Sequence, residues 1–127
     1  MKIFLVGYMA SGKTRRGRAM AEEKGLRFID LDLYIEEREF KTIRDIFKKY
    51  GEEAFRKMET RYLKEICEFY DDFVLSCGGG TPCFNGNMDY MNAQGETIFL
   101  NATVDVITAR LIRGKWKRPL VASLTVA

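Results

Sequence analysis

Residues 2–6 (Lys-Ile-Phe-Leu-Val) are an apolar run of strand formers that stops at Gly7. From there Gly7-Tyr8-Met9-Ala10-Ser11-Gly12-Lys13-Thr14 completes the spacing G-x-x-x-x-G-K-[ST]. A helical stretch is predicted from about Lys13 to Lys24, closed by Gly25 as a C′ glycine. A glycine-rich turn can match the spacing by chance, but a strand before it and a helix after it are the context a phosphate-binding loop demands. In such a loop the backbone amides and the helix N-terminus wrap anionic oxygens. Lys13 would reach the outer phosphates of a nucleotide and the Thr14 hydroxyl would ligate Mg²⁺.

The rest of the chain alternates in the same way. A second strand is predicted near 27–31, running into Asp30-Leu31-Asp32, and Thr42 with Asp45 marks a helix start near 42. The clearest helix spans about 52–69, where Phe55, Met58, Tyr62, Ile66 and Phe69 form one apolar stripe. A third strand, 73–76, breaks at Gly78-Gly79-Gly80, and a short helix near 86–94, a strand at 97–101 and a helix at 104–113 follow. Strands separated by helices of ten or more residues argue for an α/β fold with a parallel sheet, whose ligands sit at the carboxyl ends of the strands. The segments at those ends, Gly7–Thr14, Asp30–Asp32 and Cys77–Gly80, all carry unusual residues. At 127 residues the chain is expected to form a single domain, 1–127.

Composition removes several chemistries. The histidine count is 0, which excludes a His base, a Ser-His-Asp nucleophile and imidazole-bound zinc. The 3 cysteines form no C-x-x-C pair, pointing to a reducing cytoplasm rather than a disulfide framework. No apolar run is long enough to span a membrane, and the opening MKIFLVGYMA runs into Ser-Gly-Lys-Thr without the cleavage pattern of a leader. The net charge of +3 says little about partners. Arg110, Arg113, Lys115, Lys117 and Arg118 do cluster, for polyphosphate, nucleic acid or solvent.

Each candidate residue has a plain alternative. Asp30 and Asp32 stand two apart, so in extended chain they share a face and can hold a metal-bound water and orient or deprotonate a hydroxyl; equally, one of them can simply cap a helix starting near Leu33. Arg56, beside Phe55, either snorkels or grips a carboxylate with its planar fork. Gly78, Gly79 and Gly80 let backbone amides approach a ligand, or form a flexible turn. Arg118, before Pro119, stabilises a transferring phosphoryl group or sits in a solvated basic loop. Cys77 reads as an inert buried thiol.

In this order, GYMASGKT, FIDLD, GEEAFRKMET, SCGGG and KRPL resemble the shikimate kinase family over nearly all 127 residues. The resemblance implies a nucleoside-monophosphate-kinase-like three-layer fold, with a parallel sheet in the order 2-3-1-4-5 and a mobile lid beginning near 113. It implies ATP-dependent phosphorylation of the 3-hydroxyl of shikimate, a step towards chorismate and the aromatic amino acids, by a monomer in the cytoplasm with no nucleic-acid or membrane partner. Carried over by position, Ala10, Ser11, Gly12, Lys13, Thr14 and Arg15 hold ATP, with Arg110 on the adenine side and Arg118 on the phosphates. Thr14 and, through water, Asp30 hold Mg²⁺; Asp32 binds the shikimate hydroxyls and serves as the base. Arg56 pairs with the shikimate carboxylate, and Gly78, Gly79 and Gly80 offer amides to the substrate. Lys13, Asp32 and Arg118 are the expected catalytic set.

Three departures qualify the resemblance. Ala10 stands where the family has glycine, and Arg15 where it has a small hydroxyl residue. The chain ends nine residues after Arg118, so the rest of the lid, a second substrate arginine and the fifth strand are expected to be missing. The rival readings are another small-metabolite or nucleotide kinase on the same fold, such as a gluconate or adenylate kinase, and a catalytically impaired ATP-binding domain.

Overall fold

The computed structural model describes residues 1–7 and 12–100. Four parallel strands, β1 (Lys2–Val6), β2 (Arg27–Asp30), β3 (Phe73–Ser76) and β4 (Glu96–Phe99), lie in the order β2-β3-β1-β4. Between them run α1 (Lys13–Lys24), α2 (Leu31–Glu39), α3 (Ile43–Phe69) and α4 (Asn87–Gln94), with a short 3₁₀ turn at Thr81–Cys83. The order matches the first four strands of 2-3-1-4-5. The helix expected at 104–113 lies outside the described residues.

Alternation along the strands builds two cores, one on each face of the sheet. Ile3 and Leu5 of β1 and Val74 of β3 pack with Ala21 on the α1 face. Phe4, Val6, Phe73 and Leu75 point the other way, against Leu31, Ile35, Phe55, Leu63 and Ile66 of α2 and α3. A strand covered on both faces reads as continuous apolar sequence, as β1 does. In register, Leu5 faces Ser76 of β3 and Ile98 of β4, so the carboxyl ends of the central strands open on one rim.

Local signals set most helix ends. Gly25 adopts the left-handed conformation (φ 68°) at the end of α1, and the Thr42 side chain accepts a hydrogen bond from Asp45 N at the start of α3. α3 is broken at Gly51 (φ 87°), so the helix starts expected near 42 and 52 are two arms of one element. The apolar stripe needs two corrections. Phe69 is 68% exposed although Ile66 and Cys67 of the same last turn are buried, and Glu59, a carboxylate on the buried face, is 1% exposed.

Phe40 ends α2 in the left-handed conformation (φ 56°) with its ring 91% exposed. Its side chain therefore gains little to offset a backbone state that costs a non-glycine residue about 1–2 kcal/mol. Phe40→Gly is expected to stabilise the protein by about 0.5–1 kcal/mol, the extra freedom of glycine in the unfolded chain offsetting part of the relief. Urea denaturation measures this; a loss of stability would mean that the ring packs against something.

Candidate active site

Three strand ends converge on the rim. β1 leads through Gly7 towards Gly12, whose left-handed backbone (φ 74°) starts α1 with no side-chain cap and no acidic residue in the first turn. That helix N-terminus is left to an external anion. Lys13 Nζ donates to Gly7 O at 2.7 Å, tying the helix start back to the strand. Burial pulls the Lys13 ammonium below its usual range, opposed by Cys77, Asp32 and Asp30. A polyphosphate would supply the counter-charge. Ala10 and Ser11 of the loop, and Arg110 and Arg118, lie outside the described residues.

Asp30 and Asp32 reach the rim differently from the sequence expectation. β2 ends at Asp30 and α2 begins at Leu31, so the two are related by a strand-to-helix turn and not by alternation on a strand. The Asp30 carboxylate caps α2 by accepting from Leu33 N at 3.2 Å. Capping and lining the site coexist, because Asp30 still borders the cavity. Asp32 sits in the first turn of α2, where burial, then the charges of Asp30, Glu59 and Glu36, raise its carboxyl from 3.8 to about 6, with Lys13 opposing. Like charges held together in a half-dry cleft make a carboxylate a stronger base.

The cavity they enclose measures about 540 Å³ and is lined by Gly12, Lys13, Thr14, Arg15, Asp30 and Asp32 on one side. Ser76, Cys77, Gly78 and Gly79, from the end of β3, close the other. Burial pushes the Cys77 thiol far above its usual range, in keeping with an inert group.

Gly80 and Arg56 meet just beyond. Gly80 has a packing reason that the sequence did not disclose, since a Cβ there would lie 2.8 Å from Arg56 Nη2. A Cβ on Gly78 would press on Thr81 Oγ1 at 3.3 Å and make ordinary contact with Asp32 and Glu59. Arg56 does not snorkel. Its Nη1 donates to Glu59 Oε1 at 3.1 Å and its Nη2 pairs with Glu52 at 3.5 Å. Glu59 also accepts from the Thr81 hydroxyl at 2.6 Å. Buried Arg56 Nε has no partner among the described residues, so its N–H is a donor still to be satisfied there.

Glu59, Thr81 and Phe84, whose ring centroid lies 4.2 Å from the Arg56 guanidinium carbon, carry no signal as site residues in the pattern read above. A glutamate at the i+4 position from Phe55 on the apolar stripe is the one signal that could have found Glu59, since a charge on a core face must be paired.

A sequence model of the family described as shikimate kinase matches residues 9–126. The chain belongs to the shikimate kinase family. A shikimate kinase of Phocaeicola vulgatus is 51% identical over 122 residues, covering 96% of this chain and 69% of the relative. One of Azobacteroides pseudotrichonymphae is 50% identical over 120 residues, covering 94% and 71%. The chain thus spans about 70% of the length of these relatives. Among solved structures, shikimate kinase from Bacteroides thetaiotaomicron superposes with a TM-score of 0.81 at 48% identity, over 95% of this chain and 68% of that one. Shikimate kinase from Acinetobacter baumannii, in complex with shikimate, gives 0.78 at 33% identity, over 98% and 72%. Shikimate kinases are ATP-dependent kinases that phosphorylate shikimate.

Proposed function

We propose that the rim performs the family's reaction with the residues described: transfer of the ATP γ-phosphoryl group to the 3-hydroxyl of shikimate. The observation that carries the reading is the pairing of a half-buried, raised Asp32 with Lys13 in one cavity, next to an arginine whose buried Nε–H has no acceptor among the described residues. Gly12, Lys13, Thr14 and Arg15 bind the phosphates, and Lys13 balances charge that builds on the oxygens as the phosphoryl group moves. Asp32 orients the attacking hydroxyl and takes its proton at the carboxylate; near neutral pH it is ionised yet basic enough for the task. Arg56 grips the substrate carboxylate, with Glu59 fixing the guanidinium from behind. The backbone from Gly78 to Gly80 presses the substrate against both. Arg118 and Arg110 complete the phosphate and adenine contacts in this reading.

The donor set also fits Mg²⁺. Among the described residues there is no group of three or more Cys, Asp or Glu that would cage a metal ion. Mg²⁺ instead favours one or two hard oxygens, its own waters and substrate phosphates. Thr14 and Asp30 provide such oxygens on the cavity wall. Bound there, the ion would neutralise phosphate charge.

In the same reading residues 1–127 are one domain acting as a monomer, with a lid from about 113, which lies outside the described residues. A cytoplasmic setting is supported by the three free cysteines. No helix among the described residues is long and apolar enough to cross a membrane.

Arg56→Lys tests the substrate side. The charge survives but the fork is lost, so KM for shikimate is expected to rise at least tenfold while KM for ATP changes less than twofold. Steady-state kinetics with each substrate varied in turn measures both. An unchanged shikimate KM would remove Arg56 from the site.

A further inference from the structure

We propose that Phe84 is the positioning residue of Arg56 and thereby sets the affinity for a carboxylate-bearing acceptor; this rests on the reading that Arg56 takes the substrate carboxylate. The Arg56 guanidinium carbon lies 4.2 Å from the Phe84 ring centroid, against 5.4 Å from Phe55. A guanidinium is planar, and the negative face of an aromatic ring holds it flat. Glu59 fixes rotation within that plane by taking Nη1, and Gly80 lies close against Nη2. Ring, carboxylate and glycine backbone together restrict the group to one orientation.

The ring is itself held in place by polar ties to the turn of α3 that carries Arg56. Phe84 leaves the 3₁₀ turn in extended backbone, and the chain then reverses through Asn85 (φ 53°) and Gly86 (φ 70°). Asn85 Nδ2 donates to Arg56 O and to Thr60 Oγ1, both at 3.3 Å. Thr60 Oγ1 donates to Arg56 O at 3.1 Å and lies 3.0 Å from Asn87 Oδ1. Fully buried Asn87 donates back to Thr81 O at 2.9 Å. A half-buried phenylalanine on so tethered a loop has a purpose beyond core packing. Two carboxylates of α3, Glu52 and Glu59, pair with Arg56, and Glu52 is mostly exposed at 3.5 Å from Nη2. Without the ring, the arginine is free to close fully onto Glu52 and withdraw its donors from a ligand.

Equilibrium titration of the protein with shikimate, and separately with Mg-ATP, tests this in Phe84→Ala, Phe84→Leu, Phe84→Trp and Arg56→Met. Phe84→Ala and Phe84→Leu are expected to weaken shikimate about tenfold with ATP affinity within twofold, because leucine keeps apolar volume but has no ring face. Phe84→Trp is expected to restore affinity to within twofold of the parent. Parent-like shikimate binding in Phe84→Leu would overturn the proposal, as would an equal loss of ATP affinity. Should Phe84→Ala fail to fold, the leucine and tryptophan variants decide alone. If Arg56→Met weakens shikimate while both Phe84→Ala and Phe84→Leu do not, only the role of Phe84 falls. If Arg56→Met binds shikimate like the parent, the reading of Arg56 falls and the proposal with it.

Discussion

Asp32→Asn is expected to lower kcat by about 10²–10⁴-fold and, at neutral pH, to make the protein more stable. The first effect follows from removing the base while keeping its shape. The second follows from the direction of its shift. Asp32 titrates near 6 in the folded protein and near 3.8 when free, so between those values the folded state binds more protons than the unfolded one. Stability therefore falls as pH rises from about 4 to about 6 and stays reduced above that. Relief of this cost, less the lost attraction to Lys13, is expected to stabilise Asp32→Asn on the order of 1–2 kcal/mol at pH 7. In the parent protein kcat/KM is expected to fall below about pH 6, and Asp30→Asn is expected to move that limb to lower pH by removing a like charge. Denaturant titrations at pH 4 and pH 7, alongside the pH–rate profile, measure all three. Full turnover in Asp32→Asn, or a loss of stability at pH 7, would contradict the assignment.

Gly95→Ala is expected to cost about 3 kcal/mol or more, a large part of the stability of a domain of this size. Gly95 closes α4, its N–H on Met91 O at 3.0 Å, just before β4 pairs with β1. A Cβ there would stand 2.1 Å from Lys2 O and 2.9 Å from Lys2 Cβ. The obstacle is the backbone of the central strand, which cannot rotate away as a side chain can. β1 must shift, and β1 carries Gly7 and the entry to the phosphate loop. A urea midpoint close to that of the parent would show that β1 and β4 separate easily.

Features encoded by neighbouring residues were legible in the sequence. An apolar run became β1, Gly25 closed α1, Thr42 capped α3, and the phosphate-loop spacing put Lys13 and Thr14 at the start of α1, after β1. The strand order beyond simple parallelism came from resemblance, because no local pattern states which strands lie side by side. Long-range features were not legible. The raised Asp32 depends first on its burial in the assembled cleft and then on neighbouring charges, among them Glu59 from α3. Glu59 reads as a surface charge until its partners Arg56 and Thr81 close over it. Phe84 has no signature at all, since its partner lies 28 residues away on another element. The glycines at 78–80 stand out in the sequence, but only packing reveals that Gly80 makes room for the Arg56 guanidinium.

The central claim is that this rim moves a phosphoryl group from ATP to shikimate. Phosphorus NMR on the purified protein with Mg-ATP, offered shikimate, gluconate, quinate or AMP in parallel, tests it most directly. The account predicts a new phosphomonoester resonance formed fastest with shikimate, at the expense of ATP, and nearly absent in Asp32→Asn. ATP binding without transfer to shikimate would make the chain an impaired binding domain, and faster transfer to any competitor would assign it a different acceptor; either result would contradict the account.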